Sequence, residues 1–168
     1  PFSKDGLYNI KVLILIINYI MKKILYWSPF LTKIATIQSV LNSATILKNQ
    51  NKKLDIYIIN SVGEWDDYKE KISSNNLKLI NLLSFNLHKY LPKTGYLKSR
   101  ISLVIIAAIT FLPLINLLIK KKPDFFISHL NTMFTMILSN FSKTKFIVRI
   151  SGYPRLHFFR KFLWKNLS

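Results

Sequence analysis

The chain has 168 residues, half of them hydrophobic, which is enough for one domain with a real core and too apolar for a disordered segment. Twenty-five Lys and Arg against seven Asp and Glu give a formal net charge of +18, which points to an anionic partner or to the lysine bias of an AT-rich genome. With no cysteine, disulfides, zinc–thiolate sites, iron–sulfur clusters and thiol nucleophiles are excluded.

Residues 1–20 precede Met21-Lys22-Lys23, which stands directly before a strand-like run. Met21 is therefore read as the start of the fold, and 1–20 as an upstream or read-through segment outside it. The rival reading, a signal sequence with Val12 to Ile20 as its apolar core, lacks a small-x-small cleavage site. Ile24 to Trp27 is a first short strand, ended by Ser28-Pro29. Ile34, Ile37, Val40, Leu41, Ala44 and Leu47 then recur at gaps of three and four, the spacing of an amphipathic helix. Leu54 to Ile59 is the second strand, running into the loop signal Asn60-Ser61-Val62-Gly63. Glu64, Asp66, Asp67 and Glu70 gather most of the chain's acids in the loop and short helix that follow, and Leu77 to Leu83 reads as a third strand.

Ile101 to Ile119 is an uncharged run long enough to cross a bilayer, interrupted by Ser102, Thr110, Pro113 and Asn116. Three readings stand: a crossover helix buried on a sheet, a helix lying in the membrane surface, and a true span. Lysine or arginine flanks both ends, so the positive-inside rule gives no orientation. Phe125, Phe126 and Ile127 form a fourth strand, Asn131 to Asn140 a helix, and Phe146 to Ile150 a fifth strand. Strands alternating with helices at this spacing predict an α/β fold, an open parallel sheet with helices on both faces. Domain limits of 21–154 for this unit and 155–168 for a basic amphipathic segment follow.

In such sheets ligands sit beyond the carboxyl ends of the strands, so the candidate contacts are Ser28, Thr32 and Thr36 after the first strand, His129 after the fourth, and Arg149, Ser151 and Gly152 after the fifth. The first loop has no glycine, which leaves a weak anion site on Thr32, Thr36 and helix amides, or plain capping by either threonine. His129 sits where a histidine contacts ligand or acts as a base, and where a structural histidine sits equally well. Arg149 suits a phosphate or carboxylate, or pairs with a local acid or carbonyl. His88 and His157 are expected to face solvent. No acid is spaced to complete a hydrolytic triad, and no P-loop or carboxylate-rich metal site is present, so no metal is expected.

The segments MKKILYWSPFLT, LDIYIINSVGEW, FLPLINLLIKKKPDFFISHLNT and KFIVRISGYPRLHFFRKFLWK together resemble the N-terminal half of bacterial family 4 glycosyltransferases of GT-B fold, from about Met21 onward. The resemblance implies a Rossmann-like acceptor-side domain, one half of a GT-B architecture. The nucleotide-sugar donor and a paired-glutamate motif would belong to a C-terminal domain missing from this chain, so the fragment is expected to be inactive alone and to hold no cofactor. It also implies retaining transfer to a lipid-linked or lipopolysaccharide acceptor at the anionic inner-membrane surface, cytoplasmic and peripheral. Two departures stand out. Lys33-Ile34-Ala35-Thr36 replaces the usual glycine pair, and Ser151-Gly152 stands where many relatives carry a histidine. The rival is a non-enzymatic basic protein on membranes or nucleic acid. Nucleic acid ranks last because no strand alternates stacking aromatics.

Overall fold

The computed structural model describes residues 23–32, 35–129 and 132–149. Five strands, β1 (Lys23–Trp27), β2 (Asp55–Asn60), β3 (Lys78–Asn81), β4 (Phe125–His129) and β5 (Lys145–Arg149), form one sheet in the order β3-β2-β1-β4-β5. Every pairing is parallel. Four helices connect them: α1 (Ala35–Gln50), α2 (Lys69–Ser74), α3 (Tyr96–Lys121) and α4 (Thr132–Ser139), with a short 3-10 turn at Asp66–Tyr68. The fold is an α/β, Rossmann-like open sheet covered on both faces, as the alternation of apolar runs predicts.

β1 and β4 are buried along nearly their whole length because both faces of a central parallel strand are covered, which is why they read as continuous apolar runs. Ile24, Tyr26, Ile56, Ile58, Phe125 and Ile127 face one layer, meeting Ile37, Val40, Leu41, Ala44 and Leu47 of α1 and Ile72 of α2. Leu25, Trp27, Ile59 and Phe126 face the other, against Leu114 and Leu118 of α3 and Leu138 of α4. At the amino ends, Asp124 fixes the β1–β4 register. Its carboxylate accepts from the Lys23 N–H at 2.9 Å, and its own N–H donates to the Lys23 carbonyl at 3.0 Å.

Several boundaries differ from expectation. The third strand shrinks from Leu77–Leu83 to Lys78–Asn81, because at the sheet edge only residues facing β2 keep a ladder partner. The fifth shifts to Lys145–Arg149 and is also an edge strand with both ends exposed, not a buried one; Ile150 lies outside the described residues. The long uncharged run extends at both ends into the 26-residue helix α3. Pro113 does not end α3, although its ring removes one intrahelical bond. Buried Ser102 and Thr110 return their hydroxyls to the carbonyls of Lys98 (3.0 Å) and Ile106 (2.7 Å) one turn earlier, so neither is an unsatisfied polar group. Lys122 ends the helix in a left-handed conformation, its N–H bonded to the Leu118 carbonyl.

Leu97–Lys121 is long and apolar enough to cross a membrane by length and composition, its most apolar 18 residues having a mean hydropathy of 2.5. Here it lies along the sheet, with Ile106, Leu114 and Leu118 buried and Leu97, Val104 and Leu112 exposed. Truncation therefore has opposite consequences at two apolar positions. Phe126→Ala should cost about 3–5 kcal/mol in urea unfolding, and Leu112→Ala should stay within about 0.5 kcal/mol.

Candidate functional site

The loop after β1 leads to α1 on one face of the sheet, and the loop after β4 leads to α4 on the other. Chains that leave neighbouring strand ends in opposite directions open a crevice between them, the usual ligand position in an open α/β sheet. The register pairs Tyr26 with Ile127 and Trp27 with Ser128; Ser28 directly follows β1, and His129 is the last residue of β4. Both are buried. The rings of Tyr26 and His129 stand 6.4 Å apart between centroids. Arg149 is the register partner of His129 on β5.

His129 is 3% exposed, and its Nε2 has no hydrogen-bond partner among the described residues. Burial, with a smaller contribution from the Arg149 charge, lowers its pKa to about 4, so the ring is neutral at pH 7. A histidine of such low proton affinity is a weak base, and its natural use is to give or receive a hydrogen bond from a hydroxyl. Burial raises the Tyr26 phenol to about 12 against the opposing effects of Ser43 and Arg149, so it too stays neutral. From the other side of β4, Thr135 donates to the Ser128 hydroxyl at 2.6 Å and ties α4 to the strand end.

A second part of the same sheet edge lies over β1 and β2. Asn60 directs its whole side-chain amide inward. Nδ2 donates to Asp66 Oδ1 (3.0 Å) and Asn81 Oδ1 (2.8 Å), and Oδ1 accepts from the N–H groups of Gly63 (3.1 Å) and Trp65 (3.0 Å). The Glu64 carboxylate accepts from the N–H groups of Ser61 (2.9 Å) and Val62 (2.7 Å). Trp27 Nε1 donates to Ser61 Oγ at 2.9 Å, which joins this loop to β1. Gly63 holds a φ of 97° with the Asn86 side chain lying where a Cβ would project, so both its conformation and its surroundings require glycine.

His88 does not face solvent as expected. It is half-buried, with its N–H on the Val62 carbonyl at 2.9 Å and its Nε2 at 3.1 Å from the Leu31 carbonyl. A carbonyl can only accept, so Nε2 carries the proton. Burial, and then the charge of Lys93, lower the His88 pKa. The loops after β1, β2 and β3 are thus one interlocked unit. They enclose a cleft of ≈ 550 Å³ whose lining includes Phe30, Thr32, Glu64, Asp67, Tyr68 and Lys93.

Thr32 is exposed in this cleft, whose lining mixes Glu64, Asp66 and Asp67 with Lys89 and Lys93, and Thr36 is half-buried in the first turn of α1. The structure therefore brings Ser28, His129 and Arg149 to the β1–β4–β5 edge and sends Thr32 toward β2. Ser151, Gly152 and His157 lie outside the described residues. No group of three His, Asp or Glu side chains suited to a metal occurs among the described residues. Sequence reasoning missed Asn60, Glu64 and His88. The one available signal was a polar cluster, Asn60 to Glu64, immediately after a buried strand.

No protein-family model and no curated protein matches the sequence. Among solved structures, a pantoate–beta-alanine ligase from Francisella tularensis, complexed with beta-gamma ATP and beta-alanine, aligns at 12% identity and a TM-score of 0.35. The alignment covers 87% of this chain, which spans 66% of that one, and at this level of likeness neither ligand nor activity transfers.

Two buried groups give the site opposite pH responses. Burial raises the Glu64 carboxyl from 4.5 to about 7, over the opposing N–H groups of Val62 and Ser61. Its contribution to stability is complete below pH 4.5 and lost as pH rises through about 7. His129 shifts from 6.5 to about 4, so its contribution is complete above pH 6.5 and lost as pH falls through about 4. The lowered pKa of His88 acts in the same direction as that of His129. Between these limits the Glu64 and His129 slopes oppose one another, and His88 tilts wild-type stability upward with pH. Whatever their overall stabilities, Glu64→Gln should become more stable as pH rises from 4.5 to 6.5, by on the order of 2–3 kcal/mol, and His129→Asn should become less stable by a similar amount. Urea unfolding across this range measures both, and equal slopes in the two variants would refute the assignment.

Proposed function

We propose that the chain is the acceptor-side half of a glycosyltransferase that moves a sugar from a nucleotide-sugar donor to a lipid-linked or cell-surface polysaccharide acceptor. The observation that carries this reading is His129, a buried neutral imidazole with an unpartnered Nε2 at the β1–β4 switch point. Ser28 directly follows β1, and the KPDFFISHL segment that holds His129 is, with RISGYP, the most specific part of the glycosyltransferase resemblance. Glycosyl transfer needs a hydroxyl oriented toward the anomeric carbon and positive charge near the departing diphosphate. In this reading His129 orients the acceptor hydroxyl by hydrogen bonding, Ser28 shares that contact, and the Arg149 guanidinium, exposed at the end of β5, faces the phosphate side. The donor nucleotide would bind chiefly to the second half of the GT-B cleft, so no cofactor is assigned to the residues described.

The test is transfer measured with the donor-binding half present. His129→Ala and Arg149→Ala should each lower kcat/KM about 10²-fold or more, with far-UV circular dichroism unchanged. Arg149→Ala should also weaken inhibition by the nucleoside diphosphate product, which His129→Ala should not. Unchanged transfer in the double variant would remove both residues from the site.

A further inference from the structure

Nine of the twelve large exposed hydrophobic side chains among the described residues lie on α3 or at α4; the others are Ile46 on α1 and Phe85 and Tyr90 in the loop before α3. Six of the nine, Leu97, Ile101, Val104, Ile105, Leu112 and Ile119, form a continuous stripe along α3 at helical spacing, with Leu97, Val104 and Leu112 at 71%, 67% and 72% exposure. The patch continues across the same layer through Phe141, whose ring meets Phe111 edge-on at 5.7 Å, and Ile137 of α4. On the opposite layer the one large exposed hydrophobic residue among those described is Ile46. Scattered exposed apolar residues need no explanation, but a one-sided stripe along a whole helix does.

Charge is divided in the same way. Every described acidic residue except Asp124 lies between Asp55 and Glu70, on β2 and the α2 side. α3 contains no acid. Lys98 and Arg100 stand in its first turns, Lys120 and Lys121 in its last, and Lys122 directly after it. Lys121 is engaged by the Tyr57 ring at 5.2 Å, whereas Lys120 and Lys122 are exposed. A second copy of the chain is a poor occupant for this face, because each molecule carries a formal charge of +18. An apolar stripe with basic ends and no acid is complementary to an anionic bilayer, where each nearby Lys or Arg adds to attraction and the apolar side chains enter the headgroup–acyl boundary.

We infer that α3 lies in the plane of an anionic lipid bilayer, with Leu97, Ile101, Val104, Leu112 and Ile119 inserted, Lys98, Lys120 and Lys122 at the headgroups, and its other face still packed on the sheet. About 39 Å of helix would rest along the surface. Crossing the bilayer instead would pull Leu114 and Leu118 off the sheet, uncovering Leu25, Trp27 and Phe126, and Ile106 off the Leu31, Val62 and Leu91 side chains of the loops. The surface assignment stands apart from the glycosyl-transfer reading: a chain that binds vesicles but supports no transfer would defeat only the latter.

The full chain should float with vesicles containing phosphatidylglycerol and at least about tenfold less with pure phosphatidylcholine. Replacing Leu97, Val104 and Leu112 together by Gln should lower flotation on the anionic vesicles at least about tenfold, and Ile46→Gln should leave it unchanged. Because the chain has no cysteine, nitroxide labels at Leu112→Cys, Ile101→Cys, Ile119→Cys and Ile46→Cys can each be read alone, without relying on the triple variant. The first three should lie at one shallow depth in the bilayer and the fourth in water. Undiminished flotation of a folded triple variant would overturn the inference. So would a label at Leu112 near the bilayer centre with those at Ile101 and Ile119 at its two surfaces, or labels on α3 that stay in water while the chain forms dimers.

Discussion

Asn60 spends both hydrogen-bonding ends of one buried amide on four partners drawn from three segments of chain: the β2–α2 loop, the 3-10 turn and the end of β3. Its main-chain carbonyl adds a fifth, the Leu82 N–H at 2.9 Å. Four residues later Glu64 closes the same loop on itself through the Ser61 and Val62 amides, and Asn86 donates to Asp66 Oδ2 at 2.6 Å from the other side. A buried polar network of this kind is stabilising only when nearly complete, because each orphaned group costs about 1–3 kcal/mol. The carboxyl edge of the sheet, where the chemistry is expected, is consequently shaped by loop-to-loop hydrogen bonds as much as by core packing.

That construction places two different electrostatic environments side by side. Over β2 the carboxylates gather. Burial pushes Asp66 up, but the Lys69 ammonium at 2.9 Å and the amides of Asn60 and Asn86 outweigh it and hold the carboxyl below its ordinary value. Over β1 and β4 the neutral side chains Tyr26 and His129 sit near the Arg149 guanidinium, and among the described residues no acid contributes to either pKa. Charge is therefore mixed in the β2 cleft, which Lys89 and Lys93 also line, whereas an exposed arginine ends β5. The two helical layers also differ, one carrying most of the acids and the other the apolar stripe.

Legibility in the sequence followed the range of the interactions. β1, β2 and β4 could be read because a strand covered on both faces must be apolar throughout, and α1 because its stripe repeats every three to four residues. The ends of α3 were underread, since the polar Tyr96–Arg100 and Lys120–Lys121 segments are helical by continuity and not by pattern. The bounds of β3 and β5 were misread for a different reason: an apolar run does not say which of its residues keep a ladder partner at a sheet edge. Strand-end placement led to Ser28, His129 and Arg149, but nothing in the sequence distinguishes a histidine bound to a carbonyl fifty-seven residues away, as His88 is, from one in water. The Asn60–Glu64 network was hidden likewise, because its partners become neighbours only after the sheet has formed.

The interlocking of the three loops is tested most directly by native-state hydrogen exchange on Asn60→Ala. If the edge is one unit, protection at the Val62, Gly63, Trp65, Leu82 and His88 amides should fall together, by about tenfold or more, while the Tyr26 and Ile127 amides in the centre of the sheet lose only what the global stability loses. If exchange accelerates only at Gly63 and Trp65, the two N–H groups that Asn60 itself binds, and Leu82 and His88 remain protected, the loops are independent and the account is wrong.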